Sequence, residues 1–303
     1  MVVERTIETE SSLMAFGRCS SRFGTQNSAE QPVVLKIIKR VGDEWQSGTV
    51  LQAFDGRGVV RVYEHAPGAV LMERLTPGTS LVEMVGKGRD EEATDILADI
   101  IQQMGQVPGV GYRVPGIRHV ASDTYQLTPD TRPPTPDTRH PTPAFATVHE
   151  WARGFDRYIA SGDEQIPGDL VESAQQTYLK LTETQRHPRL LHGDLQHYNV
   201  LFDTDRGWVA IDPKGVVGEV EYEIGAAMRN PIERPDLFLS FTTIARRFKQ
   251  FTGRLNLDYN RAVGWTFAQA ILSAIWNVED GFQLAALDPS LRLAKAILPM
   301  LET

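Results

Sequence analysis

A chain of 303 residues is long enough to bury a sizeable core and to divide into two lobes, and its 41% hydrophobic and 23% charged content is ordinary for a globular protein. A formal charge of −8 argues against nucleic-acid binding, which needs a basic face. The one cysteine, Cys19, excludes an intrachain disulfide; no apolar run reaches membrane-span length and Met1–Arg5 lacks a secretory layout, so the expectation is a cytoplasmic chain that engages neither membrane nor nucleic acid.

Residues 1–75 read as mostly strand. Val33-Val34-Leu35-Lys36-Ile37-Ile38 is apolar and β-branched around a single lysine. Glu44–Phe54 carries Trp45, Val50, Leu51 and Phe54 on an approximate helical stripe, weakened by Gly48. Val59–Tyr63 and Ala69–Met72 are two further strands, joined by the turn Glu64-His65-Ala66-Pro67-Gly68. Together these make a small antiparallel sheet with one helix. Leu75-Thr76-Pro77-Gly78 reads as a connector, and residues 76–303 are largely helical, with apolar residues at helical spacing over 91–104, 169–185, 237–251 and 262–278. Between the first two of these helices, residues 128–143 hold a near-repeat, Thr128-Pro129-Asp130-Thr131-Arg132-Pro133-Pro134 and Thr135-Pro136-Asp137-Thr138-Arg139-His140-Pro141. Its prolines exclude helix and interior strand, which leaves an extended solvated loop.

The most informative text is Leu191-His192-Gly193-Asp194-Leu195-Gln196-His197-Tyr198-Asn199-Val200-Leu201-Phe202, followed by Trp208-Val209-Ala210-Ile211-Asp212. Two short apolar runs around Asp203-Thr204-Asp205-Arg206-Gly207 predict a β-hairpin. Asn199 stands at its entrance and Asp212 at its exit, on the same end, with Asp194 close by. Two hard oxygen ligands beside a further carboxylate are what metal-assisted phosphoryl transfer requires. His192 and His197 have no third nitrogen or sulfur donor nearby, which argues against a transition-metal centre.

This segment resembles the catalytic loop of the aminoglycoside phosphotransferase family, small-molecule kinases whose signature is H-G-D-x-x-x-x-N with a later aspartate. The wider text Ala210-Ile211-Asp212-Pro213-Lys214-Gly215, Arg57-Gly58-Val59-Val60-Arg61-Val62 and Leu71-Met72-Glu73-Arg74-Leu75-Thr76-Pro77-Gly78 is similar to the branch that acts on streptomycin and hydroxyurea. The resemblance implies an α+β, bilobal, protein-kinase-like fold: a small antiparallel-sheet N-lobe (1–75) and a larger, mainly helical C-lobe (76–303) with a catalytic β-hairpin. It implies ATP and Mg²⁺ as cofactors and a small-molecule acceptor. Asp194 would accept or orient the acceptor hydroxyl, and Asn199 and Asp212 would hold the metal. Lys36 would reach the ATP phosphates. Its ion-pair partner would be an acid on the following helix, for which Glu44 is the nearest candidate, since none occurs near Ser47–Thr49. Ser20 and Ser21, in Phe16-Gly17-Arg18-Cys19-Ser20-Ser21, occupy the place of a phosphate-covering turn. Backbone at Glu73 and Leu75 would meet the adenine edge, with Val34 and Leu201 or Ile211 against its faces.

In the same family the region after the second aspartate faces the acceptor. Glu219, Glu221 and Glu223 alternate with Val220 and Tyr222, and Glu279 and Asp280 follow the helix that carries Trp276. An acidic cluster beside aromatics would suit guanidinium groups; ordinary helix-end charge is the alternative. A kinase of the same fold acting on a metabolic alcohol or amino sugar, and a nucleotide-binding scaffold without turnover, are the rival functions. Sequence gives no oligomeric state.

Overall fold

The structure, a computed structural model, describes residues 1–20, 30–105, 145–284 and 288–301. The proline-rich strip 128–143 and Ser21 lie outside the described residues.

The N-terminal part is a five-stranded antiparallel sheet of order β1-β2-β3-β5-β4, built from β1 (Val2–Glu8), β2 (Ser12–Cys19), β3 (Gln31–Ile38), β4 (Val62–Ala66) and β5 (Ala69–Glu73). Helix α1 (Ser47–Phe54) packs on its β4–β5 side. Phe16–Cys19, expected as part of a turn, continue strand β2 in unbroken register with β3, from Phe16 opposite Val34 to Cys19 opposite Gln31. The predicted helix 44–54 is a short 3₁₀ turn, Asp43–Gln46, followed by α1. The strand expected at 59–63 starts later, at Val62, and its turn is only Pro67–Gly68. Val59 and Val60 are instead fully buried against the hairpin, where Val60 N donates to Ala210 O at 2.9 Å and Ala210 N donates to Gly58 O at 2.8 Å.

The connector is also more ordered than expected. Pro77–Ser80 forms β6, which pairs with β9 (Val200–Asp203); β9 pairs in turn with β10 (Gly207–Ala210). Pro77 opens this edge strand, where its missing N–H costs nothing. The segments that flank β4 and β5, residues 58–60 and 77–80, are thereby each tied to a strand of the hairpin. Arg206, in the hairpin turn, adds to these ties: its guanidinium pairs with Glu73 and donates to Gly56 O and Val59 O.

The helical part contains α2 (Val82–Gly86), α3 (Asp90–Met104), α4 (Val148–Trp151), α5 (Arg153–Ser161), α6 (Gly168–Glu183), α7 (Val220–Met228), α8 (Pro235–Phe238), α9 (Phe241–Leu255), α10 (Tyr259–Glu279) and α11 (Pro289–Ile297). A second three-stranded sheet, with β7 (Ala146–Thr147), β8 (Arg189–Leu191) and β11 (Val216–Gly218), carries the chain into and out of the segment 192–215. Helix α10 is buried almost all round, from Arg261 to Ile275, and packs on α5, α6, α7, α9 and α11. Asp258 caps it, accepting from Arg261 N. Trp265, Tyr178 and Tyr222 meet edge to face at its centre, with ring centroids 5.0 and 5.1 Å from Trp265. Among the described residues no helix is long and apolar enough to cross a membrane.

Candidate active site

The chain leaves β8 at Leu191 and immediately forms the polar segment His192-Gly193-Asp194. His192 is fully buried and joins the two ends of the site. Its Nε2 donates to Ile211 O at 2.8 Å, which leaves Nδ1 to accept from Asp194 N at 3.3 Å. That assignment makes the ring neutral, and burial lowers its pKa in the same direction. One imidazole thus holds the backbone of Asp194 and the carbonyl just before Asp212.

Asn199 closes the 3₁₀ turn before β9, and its Nδ2 donates to Asp194 O at 2.9 Å and Asp194 Oδ2 at 3.3 Å. Its backbone carbonyl accepts from Ile211 N at 2.9 Å, so the hairpin ladder runs on to Asp212. Asp212 adopts a left-handed backbone conformation, φ 58°, sparsely populated for a non-glycine residue. Three residues on, Gly215 is required for packing: a Cβ there would come 2.3 Å from Val50 Cγ2, so its absence lets α1 rest on this segment.

Lys36, with its side chain 4% exposed, points across from β3. Its Nζ lies 2.8 Å from Glu44 Oε2 and 3.0 Å from Asp212 Oδ1. Burial alone would lower its pKa, but the carboxylates of Asp212 and Glu44 outweigh that and hold it above the ordinary lysine range, so it remains a cation. Glu44 reaches Lys36 although it precedes α1, because the 3₁₀ turn brings it over the sheet. Asp194 with Asn199, and Lys36 with Glu44 and Asp212, are thus two bonded groups joined through Ile211, whose N–H donates to Asn199 O and whose carbonyl accepts from His192.

Other expected residues stand elsewhere. Ser20 is at the end of β2. The Glu73 carboxylate is used by the fold, accepting from Arg61 N at 2.8 Å and pairing with Arg206, and Leu75 is buried beside it. Val34, Leu201 and Ile211 belong to, or pack on, the shared core.

The expected acidic cluster does not assemble. Glu219 is wholly buried and accepts from Arg261, Trp265 Nε1 and Arg186 N. Glu221 accepts from Asp258 N at 3.3 Å, and Glu279 is held by Arg157 through contacts of 2.7 and 2.9 Å. Asp280 is exposed at the end of α10. Trp276 meets Trp151 edge to face at 5.4 Å and carries Lys214 Nζ over its ring at 5.3 Å. Glu223 lies under the loop that carries Asp194: Oε2 accepts from His192 N at 2.6 Å and Oε1 from Gly193 N at 3.0 Å. It holds backbone, and the two N–H groups it satisfies are far in sequence, which is why alternation alone suggested an acidic cluster facing the acceptor.

Burial raises the Glu223 pKa to about 7. A raised carboxyl contributes stability that is fully present below its ordinary value of 4.5 and lost as pH rises through about 7. Glu223→Gln should therefore flatten the decline of melting temperature across that window. It should also lower turnover, because an amide NH₂ faces a backbone N–H it cannot accept from. An unchanged pH dependence of melting would contradict this.

Arg229 was not anticipated. Its Nη2 lies 3.7 Å from Asp194 Oδ1. The available signal was an arginine directly after the apolar run Ile224–Met228, where a buried charge demands a partner.

The donor set of Asn199 and Asp212 fits Mg²⁺, which binds few protein ligands and otherwise takes phosphate and water oxygens. Among the described residues no cluster of three or more His, Cys, Asp or Glu side chains offers a closed metal cage.

A family model described as "Aminoglycoside/hydroxyurea antibiotic resistance kinase" matches residues 5–132 and 134–281. The streptomycin 3''-kinase of Klebsiella pneumoniae is 30% identical over 255 residues, covering 83% of this chain and 82% of that protein. The hydroxyurea phosphotransferase of Kitasatospora aureofaciens is 28% identical over 278 residues, 87% of this chain and 67% of that protein. Among solved structures, a thermostable mutant of aminoglycoside phosphotransferase APH(4)-Ia, in ternary complex with AMP-PNP and hygromycin B, superposes with a TM-score of 0.58. It is 13% identical and covers 99% of this chain and 94% of that one.

Proposed function

We propose that this chain, which belongs to the aminoglycoside/hydroxyurea antibiotic resistance kinase family, transfers the γ-phosphate of ATP to a hydroxyl of streptomycin or of hydroxyurea, the compounds its relatives are named for. It is a phosphotransferase with an alcohol group as acceptor. The observation that supports the reading is that the Asp194–Asn199 pair and the Lys36 ion pairs with Glu44 and Asp212 lie at one end of the hairpin, joined through the backbone of Ile211.

Asp194 accepts a hydrogen bond from the acceptor hydroxyl, directs its oxygen at the γ-phosphorus and takes the proton as the new oxygen–phosphorus bond forms and the bond from the γ-phosphorus to the bridging oxygen breaks, releasing ADP. The loose transition state asks chiefly for alignment and charge neutralisation. Lys36, held as a cation by Asp212 and Glu44, would reach the phosphates. Asn199 and Asp212 would hold Mg²⁺, which when bound neutralises charge on the bridging and transferred oxygens. His192 and Glu223 keep these groups in place from below. In this reading the boundary between the nucleotide and acceptor parts falls at residues 75 and 76, and the chain works in the cytoplasm, where ATP is at hand. Glu219 and Glu223 are committed to the fold, so acceptor recognition falls to Trp276 and its neighbours.

The test is a panel assay of ATP and Mg²⁺ with streptomycin, hydroxyurea, small alcohols and amino sugars, read by mass spectrometry. A gain of one phosphoryl group on streptomycin or hydroxyurea is expected. Turnover of a metabolic alcohol alone would favour the housekeeping kinase, and ATP binding without transfer to anything would favour the scaffold.

A further inference from the structure

Arg229 directly follows α7, and its side chain is only 10% exposed. Its backbone is pinned on both sides: Arg247 Nη1 donates to Ala227 O at 2.9 Å and to Asn230 O at 2.8 Å. Its side chain is pinned as well, with Nη1 donating to Gln269 Oε1 at 2.7 Å. Gln269 is 2% exposed on α10, and its Nε2 donates to Tyr222 O at 3.2 Å. The brace depends on a gap in α7, since a Cβ at Gly225 would come 2.0 Å from Gln269 Oε1. The sequence Gly225, Gln269, Arg229, Asp194 thus forms a continuous line of contact from the two central helices to the acid. The two Asp194 oxygens are held from different directions, Oδ2 by Asn199 Nδ2 at 3.3 Å and Oδ1 by Arg229 Nη2 at 3.7 Å.

We propose that Arg229 is a positioning residue for phosphoryl transfer: braced by Gln269, its guanidinium fixes the orientation of the Asp194 carboxylate opposite Asn199. This rests on the role given to Asp194 above. A planar guanidinium suits the task because its donors point in fixed directions, which a lysine ammonium does not reproduce. Misplacing an aligned group by about 1 Å costs on the order of 10²-fold in rate.

The test uses the full chain, ATP and the acceptor that the wild type turns over fastest in the panel. Variants Arg229→Gln, Arg229→Lys, Gln269→Met, Asp194→Asn and the double variant Asp194→Asn with Arg229→Gln are compared. Arg229→Gln is expected to lower kcat by about 10- to 100-fold with the KM for ATP changed less than about twofold, and Arg229→Lys to recover part of that. Gln269→Met should give a smaller fall in kcat while keeping the guanidinium, which guards against a variant at 229 that fails to fold. The double variant should be no slower than Asp194→Asn alone, because Arg229 acts through that acid. A kcat per folded chain within about threefold of wild type in Arg229→Gln, with only the melting temperature lowered, would overturn the proposal, as would multiplicative losses in the double variant. Asp194→Asn at the wild-type rate would instead overturn the role of Asp194 itself, whatever Arg229 does.

Discussion

Asp194→Asn should reduce kcat by about 10²- to 10⁴-fold while leaving the affinity for ATP within about twofold of the wild type. The amide is nearly isosteric, so the bond between Asn199 Nδ2 and the Asp194 backbone carbonyl at 2.9 Å can persist, and so can the loop held by His192 and Glu223. What disappears is the carboxylate proposed to take the hydroxyl proton. Nucleotide contacts assigned to Lys36, Asn199 and Asp212 are untouched. Single-turnover transfer combined with calorimetric titration of ATP separates the two effects. Equal losses of binding and rate would mean that Asp194 belongs to the nucleotide site.

The largest effect on stability is expected at Asp90, far from the chemistry in sequence but joined to it in space. Asp90 begins α3, is 5% exposed, and is gripped by Arg246 and by Arg247, whose Nη2 lies 2.5 Å from Oδ1. Arg247 is 1% exposed and also caps the carbonyls of Ala227 and Asn230 around Arg229. Removing one partner of such a pair strands the other charge in the core and costs about 3–5 kcal/mol. Asp90→Ala should therefore lower the urea midpoint by that equivalent with little change in slope. Burial would raise the Asp90 pKa, but the pairs with Arg247 and Arg246 overcome it and hold the carboxyl below its ordinary 3.8. The stabilisation is accordingly present above that value and lost as pH falls through the lower folded value, so the gap between variant and wild type should close in acid. A destabilisation below about 1 kcal/mol at neutral pH would show that the network is not structural.

The hairpin was legible because its information is local. Two apolar runs and an Asp/Gly turn set the register, and Ala210 opposite Val200 then places Asn199 and Asp212 at one end. Lys36 was legible for a related reason, since a lysine inside Val33–Ile38 requires a counter-charge and Glu44 is the acid nearest the following helix. Glu219 and Glu223 were misread because their partners are distant: Arg261 and Trp265 on α10, and the N–H groups of His192 and Gly193. An alternating acid pattern looks the same whether it faces water or caps buried donors. The strand at Pro77–Ser80 was hidden by its proline and by a pairing partner more than a hundred residues away. Gln269 and Gly225 carry no local signal at all; their meaning is the fit between two helices.

The proposed assignment of a divalent cation to Asn199 and Asp212, with Asp194 beside it, is tested most directly by electron paramagnetic resonance of Mn²⁺ titrated with ATP into the wild type, Asp212→Asn and Asp194→Asn. Ordered, protein-bound Mn²⁺–nucleotide is expected in the wild type and in Asp194→Asn, with a large loss in Asp212→Asn. Undiminished Mn²⁺ binding in Asp212→Asn would place the cation elsewhere and contradict the assignment.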